Sequence, residues 1–202
     1  MIHPDTEIRF ISAEIGYGVV ATKLIPRGTI TWVQDDLDQI FTPTQAANVN
    51  PAIKKFLDTY SFVNKNGEMV LCWDNAKFVN HSFKPSCFST PYDFEIAIRD
   101  IYPGEELTDD YGYLNVEKPF QAIDEGTTRK AVYPDDILTF YKEWDALILE
   151  NAPKVLETEQ PLLQLIPKNN WKEFVNGIHN PNQMKSILEC HYHHNVKVKN
   201  AS

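Results

Sequence analysis

Along the N-terminal part of the chain, apolar and polar residues alternate with a period of two between clusters of Gly, Pro, Asn and Asp. Because neighbouring side chains of a strand point to opposite faces, this alternation predicts half-buried β-strands. The predicted strands are Glu7–Ile11, Gly18–Thr22, Thr29–Val33, Phe62–Asn64, Met69–Trp73 and Phe94–Arg99. Asn64–Gly67 tolerates the positive φ angles of a tight turn, so residues 62–73 are predicted to form a hairpin.

One helix is predicted among these strands. Asn50 can cap its first turn, and Pro51 suits its first position because that residue needs no hydrogen-bonded N–H. The apolar residues that recur at i, i+3, i+4 and i+7 are Ile53, Phe56, Leu57 and Tyr60. This spacing predicts one face that packs on the β-rich body.

From about residue 134 the apolar period changes to 3.6, which predicts helices. The first follows an acidic turn at Asp135 and Asp136, and a second spans Trp171 to Ile178 with Asn170 and Glu173 placed as a capping box. A third is predicted to begin at Asn180-Pro181 and to contain Met184, Ile187 and Leu188. The apolar face of the first is Ile137, Phe140, Tyr141, Trp144, Leu147 and Ile148.

The change of period divides the chain into a β-rich domain over residues 1–118, a polar connecting segment over 119–133 and a helical region over 134–202. Packing of the helices on the β-rich body and a separate small helical lobe are both compatible with the pattern. The sequence does not decide between the two arrangements.

Composition narrows the class of protein. The 202 residues are 43% apolar and 23% charged, which is typical of a globular chain with one sizeable core. Nineteen Lys and Arg against 28 Asp and Glu give a net charge of −9, which argues against direct nucleic-acid binding and favours basic partners. No apolar run approaches the roughly 18 residues of a membrane span, so no membrane contact is expected.

Three cysteines, Cys72, Cys87 and Cys190, have no paired spacing, so neither a disulfide framework nor a cysteine-only zinc site is expected. These features predict a reducing compartment, the cytosol or the nucleus. The run Cys190–His194 could ligate a metal, but without a spaced partner it is expected to be a solvated tail. No metal is therefore predicted.

Chemistry is expected from three segments, because the chain has no phosphate-binding loop, nucleophile elbow or dinucleotide fingerprint. In the first, Ile15-Gly16-Tyr17-Gly18, two glycines let a ligand approach the backbone closely. Taken alone, the pattern is more typical of a tight turn or β-bulge.

The second segment begins Phe78-Val79-Asn80-His81-Ser82. Buried polar side chains must find partners, so these either hold a loop together or bind a polar ligand, and the residues alone leave both possibilities open. The third, Ile101–Tyr113, ends in Asp109-Asp110-Tyr111-Gly112-Tyr113. On an extended backbone Tyr111 and Tyr113 would share one side as an aromatic wall, although such a pair is more often found at a hydrophobic edge.

Together and in this order, the three segments resemble the Gly-x-Gly, Asn-His-Ser and Gly-Glu-Glu-Leu-Thr…Asp-Tyr-Gly motifs of the SET-domain family of protein-lysine methyltransferases. The resemblance covers about residues 6–115 and makes residues 1–118 the SET methyltransferase domain. It implies a β-rich α+β fold of several small curved sheets, in which the Asn-His-Ser segment passes beneath the third motif as a pseudoknot. C-terminal helices follow in this chain.

The resemblance implies methyl transfer from S-adenosylmethionine to the side-chain amine of a lysine in a protein substrate, which enters through a narrow channel. Tyr111 matches the family's catalytic tyrosine. Tyr113 and Tyr60 are candidates for the channel walls, and Tyr60 is equally suited to the core face of its helix. The positions that match the family's cofactor-binding residues are Ile15, Gly16, Tyr17, Gly18, Phe78, Asn80 and His81.

The chain departs from the family pattern at three places. Phe83 stands where zinc-carrying members have a Cys, and no Cys-rich tail follows Tyr113, so the zinc-binding post-SET module is missing. The C-terminal helical region is expected to close the channel in its place. Asp109 occupies the position where many members carry the Phe or Tyr that governs the number of methyl groups added.

The expected partner is a lysine-containing, histone-like protein with a basic tail that complements the acidic chain. The acceptor lysine must be neutral when it attacks, and deprotonating it costs about 4 kcal/mol at neutral pH. An apolar aromatic channel would lower this cost because it disfavours the charged ammonium form. The alternative is a catalytically degenerate SET-like module that binds a protein without turnover. The sequence gives neither the substrate protein nor the oligomeric state.

Overall fold

The computed structural model describes residues 1–192, and in that part of the chain short strands form four small sheets. The α-helices are α1 (Pro43–Asn48), α2 (Pro51–Tyr60), α3 (Asp136–Val155) and α4 (Lys168–His179). The strands are β1 (Thr6–Ser12), β2 (Gly16–Ala21), β3 (Ile30–Val33), β4 (Gln39–Phe41), β5 (Ser61–Val63), β6 (Met69–Leu71), β7 (Asn80–His81), β8 (Cys87–Ser89), β9 (Phe94–Ala97), β10 (Glu106–Asp109), β11 (Phe120–Gln121) and β12 (Ala131–Val132). The predicted β-rich α+β class is confirmed.

The sheets have the strand orders β1-β2-β10-β7, β3-β9-β8, β4-β6-β5 and β11-β12. Among the pairings of named strands in residues 1–192, only β7 with β10 is parallel, and Asn80 and His81 lie opposite Thr108 and Asp109. This pairing brings the second motif beside the strand that leads into the third.

The six predicted strands are confirmed, with ends that move by at most two residues. Strands β5 and β6 form the predicted hairpin, with Phe62 opposite Val70. Its turn closes where the Gly67 N–H donates to the Asn64 carbonyl at 2.9 Å. Gly67 has a φ of 76°, the conformation that the turn residues predicted.

Helix α2 begins as predicted, because the Asn50 side chain accepts the Ala52 N–H at 2.9 Å. Its predicted buried face is only partly correct, since Leu57 is buried while Ile53 and Phe56 are 51% and 43% exposed. The helix packs beside a sheet of only three short strands, which is too small to cover a complete helix face.

Helix α3 buries Ile137, Trp144 and Ile148, as its apolar period predicted. The capping box predicted for α4 is wrong, because the helix begins at Lys168, and the Asn170 side chain donates instead to the Tyr92 carbonyl at 3.0 Å.

The third predicted helix is also wrong. Residues 181–190 form two separate 3-10 turns, Pro181–Gln183 and Ile187–Cys190. Ser186 accepts the Leu188 N–H, and Asp145 of α3 accepts the Ile187 N–H at 2.7 Å. These side chains take the backbone donors of the second turn, so the two turns remain separate.

The C-terminal helices pack on the β-rich body, which resolves the arrangement that the sequence left open. Gln160 binds the main chain beside β3, because its Oε1 accepts the Ile30 N–H at 2.7 Å and its Nε2 donates to the Gly28 carbonyl at 2.8 Å. A Cβ at residue 28 would lie 2.6 Å from the Lys154 backbone, so only glycine fits this contact. The shared core is Ile30, Val33, Tyr92, Phe94, Ile96, Ala152, Val155, Leu162, Ile166 and Phe174.

Cys72, Cys87 and Cys190 are free thiols. Burial raises the pKa of each, to about 12 for Cys190, so all three stay protonated at neutral pH. Within residues 1–192, no helix has both the length and the apolarity needed to cross a membrane.

Candidate active site

Tyr111 connects the second and third motifs. Its main-chain N–H donates to Nδ1 of His81 at 3.1 Å, and its hydroxyl donates to the Val79 carbonyl at 2.7 Å. The residue opens a 3-10 turn, Tyr111–Tyr113, in which the Asp110 carboxylate accepts the Gly112 N–H at 2.9 Å. The turn thus holds the phenol against Val79, the residue that precedes Asn80.

The predicted aromatic wall of Tyr111 and Tyr113 on an extended backbone is wrong, because the Asp110 cap bends this segment into the 3-10 turn. Tyr113 is fully buried, and its hydroxyl donates to the Asp109 carboxyl and accepts the Ser89 N–H. Both rings nevertheless border the same cavity.

This cavity has a volume of about 820 Å³, which suits a peptide side chain and its flanking backbone. Three predicted site residues line it: Tyr60, Tyr111 and Tyr113. The ring of Tyr60 lies 5.2 Å from that of Phe78, so it contributes to both the cavity wall and the local packing that the sequence left as alternatives.

Two carboxyl groups, Glu95 and Asp109, also line the cavity, although each residue is only 5% exposed. Their side chains are hydrogen-bonded to each other, and Thr31 Oγ1 donates to Glu95 at 2.6 Å. Burial raises the pKa of both carboxyls, and their mutual repulsion raises that of Asp109 further. The cavity is therefore not the purely apolar aromatic channel that was expected.

The Gly-x-Gly segment and Asn80 lie apart from this cavity. Gly16 has a φ of 86°, and no atom lies within 4 Å of the position that a Cβ would take. At Gly18, by contrast, a Cβ would collide with the side chains of Glu106 and Asn80. Gly16 therefore provides the positive φ of the β1–β2 turn and leaves open space beside it. Gly18 instead allows Glu106 and Asn80 to pack closely against the backbone.

The Asn80 amide donates to the Tyr17 carbonyl at 3.0 Å and to the Glu106 carboxylate at 2.6 Å. These bonds hold β7 and β10 against β2, which is the loop-holding role considered for this motif. Of the other predicted cofactor contacts, Ile15 and Tyr17 are exposed and Phe78 is half-buried.

His81 presents an unused donor. Its Nδ1 accepts the Tyr111 N–H, and burial lowers the imidazole pKa, so the neutral ring carries its proton on Nε2. Within residues 1–192, this buried Nε2 has no hydrogen-bond partner. A buried N–H of this kind is expected to bind a polar group.

The connecting segment covers the second motif. The Phe120 ring lies 5.8 Å from that of His81 and 6.2 Å from that of Tyr111. Glu125 accepts hydrogen bonds from the Ser82 hydroxyl and the Phe83 N–H, both at 2.8 Å. This cover was not predicted from the sequence.

Arg129 fixes the same segment to the body. Its guanidinium forms ion pairs with Asp110 and Asp136, and it stacks on the Phe83 and Phe140 rings at 4.6 and 4.7 Å. The Asp110 carboxylate that caps the Tyr111 turn is thereby held from both sides.

The C-terminal region reaches the cavity through its end. Glu189 and Cys190 line the cavity, whereas α3 and α4 provide no lining residue. Asn115 holds this rim, because its amide donates to the carbonyls of Val63 and Cys190 at 2.9 and 2.8 Å and accepts the Tyr192 N–H.

Within residues 1–192, no group of three or more His, Cys, Asp or Glu side chains is placed to hold a metal ion. The run Cys190–His194 is only partly described, since His193 and His194 lie outside these residues. The prediction of a solvated tail therefore remains a prediction.

Comparison with known proteins identifies the family. A proposed histone methyltransferase of Plasmodium falciparum has a solved structure that aligns with 55% of this chain and 95% of its own, at 18% identity and a TM-score of 0.41. No curated protein sequence matches the chain significantly. Residues 16–112, which contain all three motifs, match the family model of the SET domain. Residues 16–112 of the chain are therefore a SET domain.

Proposed function

We propose that this chain transfers a methyl group from S-adenosylmethionine to the side-chain amine of a lysine in a protein substrate. The observation that carries the proposal is the position of Tyr111, which contacts the second motif through its backbone and borders the cavity with its ring. One residue thus lies between a candidate cofactor site and a candidate lysine channel.

The residues on the cofactor side fit the group that the family uses. The buried Nε2 of His81 offers a hydrogen-bond donor, and the space around Gly16 leaves its backbone accessible. Gly16, Tyr17 and His81 would hold the cofactor, with Asn80 fixing the strands around them. When bound, S-adenosylmethionine supplies an electrophilic methyl group on a sulfonium centre.

Tyr111 orients the acceptor amine in this proposal. Because its hydroxyl proton is donated to the Val79 carbonyl, the oxygen retains lone pairs that can accept an N–H of the amine. Burial raises the pKa of Tyr111, so the phenol remains neutral at physiological pH. In-line displacement at a methyl group depends on such positioning more than on a strong base.

The alternative, a SET-like module that binds a protein without turnover, is supported by Asn80. Its amide is engaged with Tyr17 and Glu106, so the second motif has a structural role that does not require catalysis. Calorimetry with S-adenosylmethionine separates a scaffold without a cofactor from the other two cases. Radiolabel transfer then separates a binder from an enzyme.

The decisive experiment incubates the purified protein with methyl-labelled S-adenosylmethionine and core histones, or with a proteome-wide lysate. We expect label on lysine after acid hydrolysis, with the acceptor located by mass spectrometry. Cofactor binding without label on any lysine-containing protein would favour the binding module. Label on another residue type would replace lysine as the acceptor.

A further inference from the structure

The acidic end of the cavity combines two carboxyls that lack a cationic partner. Glu95 on β9 and Asp109 at the end of β10 both border the cavity, and within residues 1–192 no Lys or Arg side chain forms an ion pair with either. The Thr31 hydroxyl donates to Glu95, and the Tyr113 hydroxyl and the Asp110 N–H donate to Asp109. These donors are neutral, so within residues 1–192 no ion pair offsets negative charge on the two carboxyls.

Trp32 provides a second, independent sign that a polar guest belongs at this end. It lies opposite Glu95 in the β3–β9 register, lines the same cavity and is only 9% exposed. Its indole Nε1 is buried and has no hydrogen-bond partner in residues 1–192. A guest that can both donate and accept hydrogen bonds, as a neutral amine can, would complement a cavity lined by this tryptophan and by two carboxyls.

Two hydrogen-bonded carboxyls in a buried setting do not ionise together. The first proton leaves with help from the shared hydrogen bond, and the second is retained because like charges this close repel. Burial and mutual repulsion raise the pKa of these carboxyls and so favour a singly ionised pair, with one shared proton, over a doubly ionised one. The titratable groups around it include Cys72, Cys87, His81, Asp110, Tyr111 and Tyr113. The cations that border the same cavity are Lys54, Lys65, Lys77 and Lys118, and Arg129 is engaged with Asp110.

We propose that the Glu95–Asp109 pair accepts the proton of the acceptor lysine's ammonium group inside the cavity, an inference that rests on the function proposed above. One N–H bond of the ammonium breaks, its electron pair stays on nitrogen, and the proton forms an O–H bond with the ionised carboxyl. The pair becomes neutral and doubly protonated, and the amine becomes nucleophilic. After the methyl group is transferred, the pair releases one proton to solvent.

This transfer replaces two opposite charges with two neutral groups at carboxyls that are themselves buried. Charged groups lose most of their hydration when they are buried. The neutral amine and carboxylic acid are therefore favoured over the ammonium and carboxylate more than they are in water. The negative charge first attracts the ammonium group, and the transfer then removes the charge that would prevent attack. The pair is thus both a selector for a cationic side chain and its base.

The test compares the pH dependence of single-turnover kcat/KM on a lysine peptide for the parent and for Glu95→Gln/Asp109→Asn. The parent should reach a plateau once the pair is singly ionised. The double variant should lose about 100-fold at pH 7, as expected for loss of a general base. Its efficiency should then rise about tenfold per pH unit towards the lysine pKa of about 10. Equal losses at every pH, or no loss, would overturn the proposal.

Asp38→Asn is the matched control, because Asp38 is also buried and has a pKa raised by burial but does not line the cavity. Its pH profile should match that of the parent. Absence of transfer by the unmodified protein would count against the proposed function rather than against the pair alone.

A measurement on the unmodified protein covers the case in which the double variant does not fold. Carbon-13 NMR of the side-chain carboxyls should show the Glu95 and Asp109 signals moving towards the protonated form when a lysine peptide is added. The same peptide with norleucine, which has no amine, should leave them unchanged. Identical responses to the two peptides would contradict proton transfer to the pair.

Discussion

The main-chain N–H of Tyr111 donates a hydrogen bond to the imidazole of His81 across 3.1 Å. The donor belongs to the backbone, so the link persists whatever side chain stands at residue 111. It also requires an unprotonated Nδ1, which the low imidazole pKa provides through burial. The hydroxyl of Tyr111 can therefore be tested separately from the architecture around it.

Replacing Tyr111 by Phe should lower turnover at least 10-fold, which corresponds to about 1.4 kcal/mol of transition-state stabilisation. Cofactor affinity, measured by calorimetry, should change little because the backbone link to His81 remains. Tyr102→Phe is the control, since Tyr102 is exposed. Unchanged turnover in Tyr111→Phe would remove this hydroxyl from the chemistry.

Replacing Asn80 by Ala should weaken cofactor binding strongly and destabilise the protein by about 1–3 kcal/mol. The Tyr17 carbonyl and the half-buried Glu106 carboxylate would both lose a donor. Calorimetry and denaturant unfolding measure the two effects, with the exposed Asn48→Ala as the control. Destabilisation with parental cofactor affinity would make the motif structural only.

Replacing Arg129 by Met should cost about 3 kcal/mol of unfolding free energy, because Asp110 and Asp136 would remain buried without their cation. Arg9→Met removes an ion pair with Glu7 that is exposed, so it should cost less than about 1 kcal/mol. Urea unfolding of both variants gives the comparison. Equal small costs would show that solvent reaches the Arg129 network.

The buried carboxyl pair should make stability depend on pH. Its pKa values are raised by burial, so the folded protein binds these protons more tightly than the unfolded chain. The stabilisation is complete below the unfolded pKa of about 4 and is lost as pH rises towards the folded values, by at most about 1.4 kcal/mol per pH unit for each proton.

In Glu95→Gln/Asp109→Asn this loss should disappear, so the variant should gain stability relative to the parent as pH rises. Comparing the two proteins cancels the opposite effect of His81, whose lowered pKa disfavours the folded state below about pH 6.5. Parallel stability curves between pH 4 and 8 would contradict the raised carboxyl pKa values.

Affinity for a lysine-rich peptide should fall as salt rises, because the chain carries a net charge of −9. At 0.15 M salt, charges more than about 8 Å apart are largely screened. Titrations at low and physiological ionic strength should differ much more for this peptide than for one whose only basic residue is the acceptor lysine. Equal salt dependence would place the recognition in short-range contacts alone.

Much of the fold followed from local patterns. Alternation placed the strands, and the order of three motifs selected Tyr111, because each of these signals is contained in a short stretch of consecutive residues. The third predicted helix failed because the Asp145 carboxylate, 42 residues away, takes the Ile187 N–H. A contact of that range leaves no trace in local periodicity.

The acidic end of the cavity was missed for a related reason. Glu95 stands alone in an otherwise apolar strand, Phe94–Ala97, and an acid in a continuous apolar run was a usable sign of burial. Asp109 was noticed only as a departure from the family pattern. That the two carboxyls meet depends on the packing of β9 near β10, and Phe120 reaches His81 by a turn of the connecting segment.

The contact of Gln160 with Gly28 and Ile30 has a consequence for how the protein folds. The hydrogen-bonded residues are separated by 132 and 130 positions, so the chain must close a very long loop before these backbone groups are satisfied. Loop closure of this length slows the search for the native topology. A nascent chain cannot form these hydrogen bonds beside β3 until residue 160 has been synthesised. The SET domain therefore finishes folding late, although its sequence comes first.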